Sequence, residues 1–272
     1  MTEPIKNEPA QRLGPRPSPL LRVLYPLGSV LLLVNLWQIL YIALKLPAFI
    51  LPSPKMVWDK FLLILLNGTW WHHLSWTLLE ILLGLLIGGI AATLIGYGLS
   101  KLPFMERLMA PFLVGSSSLP MVAVAPLLII WFGAGLGSKV LICALTVFFP
   151  VLVNVLVGLR STPQELHELM RSLNASPWQK LTMLELPAAL PVLLGGLRVG
   201  TTLSVIGAIV GELVSSDRGL GFLINVGRGQ YDTALVFVAV LSLILMASLL
   251  YYVVLLLERR ALVWQTWRKD HL

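Results

Sequence analysis

The sequence predicts an all-α integral membrane protein with six transmembrane helices. Hydrophobic residues make up 57% of the 272 positions and charged residues only 12%, whereas a soluble domain carries about 25% charged residues. Six apolar runs are each long enough for the roughly 20 residues that one membrane crossing needs. The basic residues behind the net charge of +7 are dispersed at the ends of these runs. This dispersal favours topology signals over a nucleic-acid-binding surface.

The six predicted spans form one transmembrane domain over residues 23–257. The spans cover residues 23–44, 77–99, 108–132, 139–159, 189–213 and 233–257. With a cytoplasmic N-terminus, the inside segments would be residues 1–22, 100–107, 160–187 and 258–272. These hold thirteen Lys and Arg residues, and the outside segments, 45–76, 133–138 and 214–232, hold six when Lys139 at the start of the fourth span is counted with them. This excess indicates that both termini are cytoplasmic. The proline-rich residues 1–22 are predicted to be a disordered tail, and residues 258–272 a basic tail.

The segment between the first two spans predicts an amphipathic helix at the outer interface, over residues 55–71. His72 and His73 follow it. We expect them to be interfacial histidines and not metal ligands, because adjacent residues do not share a helix face.

The second span carries small residues and one acid. Gly84 and Gly88 lie four residues apart, which permits close helix approach. Glycines of the fifth span, Gly196, Gly200, Gly207 and Gly211, form a similar face, and the two faces together predict a homodimer. Glu80 is predicted to be an interfacial acid capped by neighbouring polar groups, with a gating or ion-coupling residue as the alternative.

The third span is predicted to be interrupted. Its apolar run contains Pro111, Pro120 and Pro126. Backbone groups left unpaired by such breaks are tolerated only against protein or a water-filled cavity. A solute pathway is therefore predicted, with a simple kinked helix as the alternative. Candidate pathway residues carry hydroxyls: Ser116, Ser117, Ser118, Thr201, Thr202 and Ser204. Arg198, also in the fifth span, is expected to snorkel inward or to face the cavity.

The longest polar interval, residues 160–187, predicts two short helices at an angle to each other. Thr162, followed by Pro163 and by Glu165, indicates a capping box, and Ser176 begins a second one. Asn174, between the two, tolerates the left-handed conformation that would end the first helix. The interval is therefore predicted to be rigid.

This interval resembles the cytoplasmic loop of binding-protein-dependent ABC importer permeases. That loop carries Glu-Ala-Ala, then three residues, Gly, nine residues and Ile-x-Leu-Pro. Here Glu168, Asn174 and Leu186-Pro187 stand at those spacings, while Leu169 and Met170 replace the two alanines. The resemblance extends from about Leu51 to the C-terminus and is closest to the nitrate, sulfonate, taurine and thiamine-precursor branch. Further segments similar to that branch are Trp131-Phe132-Gly133, Phe148-Phe149-Pro150 and Gly219-Leu220-Gly221.

The resemblance implies a type I ABC importer permease fold with a cytoplasmic coupling helix, in a bacterial inner membrane. It implies three kinds of partner: a second copy of the chain, two cytoplasmic ATPase subunits and an external solute-binding protein. ATP and Mg²⁺ would act on the ATPase subunits, so the chain itself is expected to be no enzyme and to hold no cofactor or metal. Residues expected to contact the ATPase are Glu165, Glu168, Asn174, Ala175, Ser176, Trp178, Leu186 and Pro187.

Two other functional classes are less favoured. An ion-coupled transporter or channel usually places charges deep in the membrane, and Glu80 and Arg198 are taken to be the only charges inside the spans. A nucleotide-binding loop is not indicated at residues 133–139, because Ser138 separates Gly137 from Lys139. A membrane enzyme would need a nucleophile or metal cluster, and Cys143 is the only cysteine.

The expected cargo is a small polar solute of the sulfonate, nitrate, bicarbonate or vitamin-precursor type.

Overall fold

The computed structural model describes residues 19–116 and 120–263, and all regular secondary structure in these residues is helical. The helices are α1 (Pro19–Leu44), α2 (Pro54–Leu66), α3 (Thr69–Ser100), α4 (Pro103–Ser116), α5 (Met121–Phe132), α6 (Leu136–Arg160), α7 (Gln164–Ser172), α8 (Pro177–Lys180), α9 (Leu186–Val214), α10 (Leu220–Gly229) and α11 (Thr233–Ala261). A π-helical turn, Leu181–Glu185, joins α8 to α9. The all-helical prediction is confirmed for the described residues.

Helix α6 lies at the centre of the bundle, between α3 and α9. Glycines allow this close packing. A Cβ atom at Gly84 of α3 would lie 2.2 Å from Cys143 Cβ of α6, and one at Gly207 of α9 would lie 2.9 Å from Cys143 Cα. Gly88 faces Ala144, and Gly196 faces Asn154. The small-residue faces thus pack inside one chain, and their use as evidence for a homodimer was wrong.

The remaining helices surround this centre. Helix α11 packs on α9, α10 and α2, and α5 packs on α6 and α9. Helix α1 is peripheral, contacting α2 and reaching α11 where Trp37 stacks on Phe237 at 5.1 Å between ring centroids. The largest buried apolar cluster lies where α3, α6, α9, α10 and α11 meet, around Ile81, Cys143 and Leu220.

Four helices in the described residues are long and apolar enough to cross a membrane by themselves. They are Thr69–Ser100, Leu136–Arg160, Pro177–Val214 and Thr233–Ala261. Two shorter apolar helices, Gly28–Leu44 and Met121–Phe132, lie in the predicted first and third spans. The second span begins at Thr69 instead of residue 77, because Gly68, at φ 80°, reverses the chain after α2. The predicted interfacial helix accordingly ends at Leu66 and not at residue 71.

The predicted third span consists of two helices, α4 and α5, which contain Pro111 and Pro126 respectively. Ser117 and Ser118 lie outside the described residues, as do residues 1–18 and 264–272 of the predicted tails. Residues 220–229, which follow the predicted fifth span, form helix α10. Leu220 and Leu223 of this helix are buried. Burial of its apolar face therefore stabilises the helix in spite of its glycines.

Candidate functional site

Three charged side chains lie buried together at the end of the bundle that was predicted to face outward. Glu80 of α3, Lys139 of α6 and Glu212 of α9 are 1%, 3% and 0% exposed. The expectation that Glu80 and Arg198 are the only charges inside the spans was therefore wrong. The predicted spans place Lys139 and Glu212 at their ends, where a charged side chain is in contact with water. In the structure, α6 and α9 continue beyond these two residues, and both side chains are buried.

Glu212 binds the start of helix α10. The Thr77 hydroxyl donates to Glu212 Oε1 at 2.6 Å, and the Gly221 N–H donates to Oε2. The Leu220 N–H donates to Thr77 Oγ1 at 2.8 Å. The Gly219 N–H donates to His73 Nδ1 at 3.0 Å. Because the first N–H groups of a helix have no intrahelical acceptor, these side chains of α3 and α9 hold the N-terminus of α10 in place.

Glu80 is less completely bonded. Its Oε1 lies 4.0 Å from Lys139 Nζ, and Lys139 Nζ donates to Ser216 Oγ at 2.8 Å. The Glu80 carboxyl also hydrogen-bonds the Glu212 carboxyl. Polar groups therefore surround Glu80 as predicted, but the carboxyl is buried inside the bundle and does not lie at the interface.

Glu80 and Lys139 line a cavity of about 530 Å³. Its other walls are formed by Trp76, Ala134, Gly135, Leu136, Ser215, Ser216, Asp217 and Arg218. Arg218 lies over the Trp76 ring, 4.5 Å from its centroid, and donates to Asp217 Oδ2 at 3.1 Å. This hydrogen bond lowers the pKa of the Asp217 carboxyl. The lining therefore holds two acidic and two basic side chains.

The 160–187 loop begins with helix α7, whose predicted capping box is wrong. The helix starts at Gln164, and Pro163, at ψ 140°, occupies the cap position without a side-chain bond. Thr162 therefore stands one residue too early for its hydroxyl to reach the helix, and Thr162 Oγ1 is buried without a partner.

The second part of the loop follows the prediction more closely. Asn174 has φ 52°, and Ser176 forms a capping box with Gln179. Both local predictions are confirmed. The helix that Ser176 caps is not a separate short helix, however, because α8 runs through the π-helical turn into α9. Motion of the loop would therefore reach the fifth span through continuous helix.

The outer surface of this loop is apolar as well as charged. Leu166 and Leu169 of α7 are exposed, and Leu173 and Trp178 are 68% and 71% exposed. Among the other predicted contact residues, Glu165, Glu168, Asn174, Ser176 and Leu186 are exposed and Ala175 and Pro187 half-buried. Bulky apolar side chains so exposed on a polar loop are typical of a protein interface.

Two ion pairs, which the sequence did not indicate, fasten the end of the bundle that carries the 160–187 loop. Lys101 Nζ at the end of α3 lies 2.6 Å from Glu185 Oε1 before α9, and Arg160 at the end of α6 pairs with Glu106 of α4. The partners in each pair are far apart in sequence, so no local pattern identifies them. Together they join the base of the loop to the membrane helices.

The predicted pathway residues of the fifth span do not share one surface. Thr201 and Ser204 are buried: Thr201 donates to Arg198 O at 2.7 Å and Ser204 to Ile81 O at 3.0 Å. Thr202 is exposed, and Ser116 ends α4. Arg198 pairs with Glu258 of α11 and lies over the Tyr251 ring, so it joins two helices instead of snorkelling freely. The pathway role of the serines and threonines stays a prediction.

Comparison with known proteins gives consistent results over most of the chain. The family described as binding-protein-dependent transport system inner membrane component matches residues 84–263. The riboflavin transport system permease protein RibX of Chloroflexus aurantiacus is 45% identical over 94% of this chain and 97% of its own length. The formylaminopyrimidine transport permease protein ThiX of Halalkalibacterium halodurans is 34% identical over 90% of this chain and 97% of its own.

The fold is similar to that of a solved transporter subunit. A chain of the MetNI methionine ABC transporter, in an inward-facing conformation, superposes with a TM-score of 0.58. The alignment covers 74% of this chain and 98% of that one, at 19% sequence identity.

Proposed function

Because this chain belongs to the family of binding-protein-dependent transport system inner membrane components, we propose that it is the six-span membrane subunit through which an ATP-driven importer moves a small polar solute. The observation that carries this proposal is the exposed helical loop at residues 160–187, with its left-handed turn at Asn174 and its capping box at Ser176. We infer a bacterial inner membrane, with this loop and both termini in the cytoplasm.

The loop suits a docking surface for cytoplasmic ATPase subunits, on which ATP and Mg²⁺ would act. Leu166, Leu169 and Leu173 follow one face of α7 at helical spacing, and all three are exposed. Asn174 and the Ser176 capping box fix the turn behind this face. Because α8 continues into α9, force applied at α7 would pass directly to a membrane-spanning helix.

We infer that two copies of the chain form the solute path, with two ATPase subunits below them and a solute-binding protein outside. The apolar residues Leu82, Leu86, Ile90 and Leu94 follow one exposed face of α3 at four-residue spacing. A second copy or lipid can cover such a face. Mass measurement of the detergent-solubilised complex distinguishes them: we expect two copies per two ATPase subunits, and one copy would contradict the homodimer.

For the cargo, we propose a neutral polar heterocycle over a sulfonate or another small anion. The outer cavity is lined by acids as well as bases, Glu80 and Asp217 beside Lys139 and Arg218, so it is not the purely basic site that an anion favours. Riboflavin and formylaminopyrimidine, named for the two relatives above, are both nitrogen heterocycles.

ATP hydrolysis and solute uptake, measured side by side in proteoliposomes that contain the assembled importer, test the function. We expect Glu168→Lys to weaken ATPase docking or to uncouple hydrolysis from transport, because Glu168 is exposed on α7. The matched control is Asp59→Lys, a charge reversal at an exposed position of α2. If Glu168→Lys transports at the parental rate per ATP, the loop is not the coupling element.

An ion-coupled transporter is the alternative, which the family and the relatives do not favour, although Glu80, Lys139 and Glu212 are buried together. The same vesicles distinguish the two. Uptake that persists when a protonophore and a sodium ionophore collapse the ion gradients, and that stops without ATP, supports the importer. The reverse pattern supports ion coupling.

A further inference from the structure

We propose that a cavity of about 640 Å³ at the base of the 160–187 loop binds the headgroup phosphate of an anionic phospholipid. The cavity lies where the loop meets the ends of α3 and α6, and its basic side chains are Lys101, Arg160, Arg171 and Lys180. The proposal adds a lipid site to the importer function above and does not depend on which solute is carried.

The lining of this cavity has an excess of basic side chains. Four of its side chains are basic and two, Glu168 and Glu185, are acidic, whereas the outer cavity has two of each. An anion is therefore attracted to this cavity. Lysine and arginine are the side chains with which proteins bind phosphate, because their N–H groups form charge-assisted hydrogen bonds to its oxygens.

The ion pairs of Lys101 and Arg160 orient these two side chains without using all of their donors. Lys101 Nζ donates to both carboxylate oxygens of Glu185, at 2.6 and 2.7 Å, and its ammonium has three N–H groups. Arg160 pairs with Glu106, and its guanidinium has five N–H donors. The two basic side chains are 44% and 64% exposed. Each can therefore keep its acid and still donate to a phosphate oxygen.

Arg171 and Lys180 are the two basic side chains of the lining that lack an acid. Neither forms an ion pair among the described residues, and Glu168 of the lining pairs with neither. Arg171 is exposed on α7, and Lys180 is half-buried at the end of α8. Like charges that share one cavity disfavour each other. A bound phosphate removes this repulsion.

The cavity lies at the level where two membrane helices end. Lys101 directly follows α3 and Arg160 ends α6, and both helices are long and apolar enough to cross a membrane. Basic side chains at the ends of spans lie at the level of the lipid headgroups, and basic pockets between membrane helices bind anionic headgroups on the cytoplasmic side. The position therefore fits a phospholipid.

An exposed apolar face begins beside the cavity. Pro103 of the lining is the first residue of α4. Phe104, Leu108 and Phe112 follow along this helix at four-residue spacing, and all three are exposed. An acyl chain can cover this face while the phosphate occupies the cavity, whereas inorganic phosphate would leave the face exposed. This continuity favours a phospholipid over a soluble anion.

Native mass spectrometry of the purified full-length chain in detergent micelles tests the site. The probes are phosphatidylglycerol and phosphatidylcholine with the same acyl chains, so that only the headgroups differ. The quaternary ammonium of phosphatidylcholine is repelled by the basic lining. We expect the Kd for phosphatidylglycerol to be at least about fivefold lower than that for phosphatidylcholine, and to rise with added NaCl. Millimolar inorganic phosphate should not displace the bound lipid.

Substitutions locate the site. Arg171→Gln and Lys180→Gln should each raise the Kd for phosphatidylglycerol about fivefold, and the double variant more than tenfold, because each basic side chain near a membrane surface contributes about that factor. Arg259→Gln is the matched control, since Arg259 is exposed in the last turn of α11 and does not line the cavity. We expect its Kd to stay within about twofold of the parental value.

The double variant loses no ion pair of the described structure, so its melting temperature without lipid should equal that of the parental chain. An unchanged Kd for phosphatidylglycerol in the double variant would place the lipid elsewhere. Equal affinities of the parental chain for the two lipids would show that the headgroup is not recognised. Displacement of phosphatidylglycerol by millimolar inorganic phosphate would assign the cavity to a free anion.

The same titration of the importer assembled with its ATPase subunits tests whether the cavity stays open to lipid. Retention of phosphatidylglycerol, with the same loss in the double variant, supports the site. Loss of the lipid on assembly would assign the cavity to the ATPase instead. ATP-driven uptake is measured separately, so failure of the lipid site leaves the importer function intact, and failure of uptake leaves the lipid site intact.

Discussion

The two ends of this molecule satisfy their polar groups in opposite ways. At the 160–187 loop, polar side chains bond backbone groups three residues away, as Ser176 does with Gln179. At the opposite end, which we infer to be the outer one, Thr77 and Glu212, 135 residues apart in sequence, bond each other inside the bundle. The turn between α7 and α8 is therefore held by local hydrogen bonds, whereas the outer cluster depends on tertiary structure. Substitutions should cost more at the outer end, because its partners are buried and cannot turn to water.

Glu212→Ala is expected to have the largest effect. It removes the acceptor of the Gly221 N–H and the shorter of the two hydrogen bonds of the Thr77 hydroxyl, which also donates to His73 O at 3.2 Å, and should lower the free energy of unfolding by about 3 kcal/mol. Thermal unfolding of the purified chain in detergent measures this. Glu212→Gln keeps one acceptor oxygen and should cost about 1 kcal/mol. Equal melting temperatures for parental protein and Glu212→Ala would show that the cluster does not hold α10.

Gly219→Ala should have the next largest effect. Gly219 has φ 103° and ψ 168°, a region that is essentially restricted to glycine. An added Cβ would also lie 2.2 Å from Glu212 Oε1. We expect a loss of about 2–3 kcal/mol from strain and displacement of the carboxylate together.

Gly68→Ala is the matched control for the Gly219 substitution. Gly68 also has a positive φ, of 80°, but nothing lies within 4 Å of a Cβ there. Only backbone strain of about 1 kcal/mol should result. If the two substitutions shift the melting temperature equally, the contact between Gly219 and Glu212 adds nothing.

The same contrast explains what could be predicted from the sequence. The left-handed turn at Asn174 and the Ser176 capping box depend on residues a few positions apart, and both were found. The apolar runs located four long helices, because hydrophobicity over about 20 residues is also a local property. Burial of Glu80, Lys139 and Glu212 depends on how α3, α6 and α9 pack, which no short window of sequence contains.

Two errors show the limits of local patterns. The Thr162 capping box has the right residue types, but Pro163 adopts ψ 140° and shifts the helix start by one residue. The glycine faces were correctly identified as packing surfaces, but Gly84 and Gly207 both face Cys143 of the same chain. A periodic small-residue face indicates close packing without indicating which helix packs there.

A useful signal for the outer cluster was the presence of Glu80, Lys139 and Glu212 at the outer ends of three different spans.

At the loop, Asn174→Val is expected to cost about 1–2 kcal/mol, because a β-branched residue is strained at the observed φ of 52°. Asn174→Gly should be nearly silent, since glycine adopts this conformation freely. Asn174 is exposed, so no buried contact confuses the comparison. Thermal unfolding measures the stability. ATP-dependent uptake in proteoliposomes measures whether the loop with the strained turn still couples ATP hydrolysis to transport. A Val variant as stable as the Gly variant would mean that the turn relaxes at no cost.

The smallest effects should come from substitutions of Thr162 and Ser176, whose hydroxyls are both predicted from the sequence to cap a helix. Ser176 accepts the Gln179 N–H at 3.3 Å, so Ser176→Ala should cost about 1 kcal/mol, the usual value of an N-cap. Thr162 Oγ1 is buried without a partner, so Thr162→Val, which replaces the hydroxyl by a methyl group of similar size, should be neutral or slightly stabilising. Comparing the melting temperatures of the two variants separates the effect of losing a capping hydrogen bond from the effect of losing a hydroxyl group. A loss at Thr162→Val as large as that at Ser176→Ala would mean that the Thr162 hydroxyl bonds a helix N–H after all, and that α7 begins where its sequence pattern predicts.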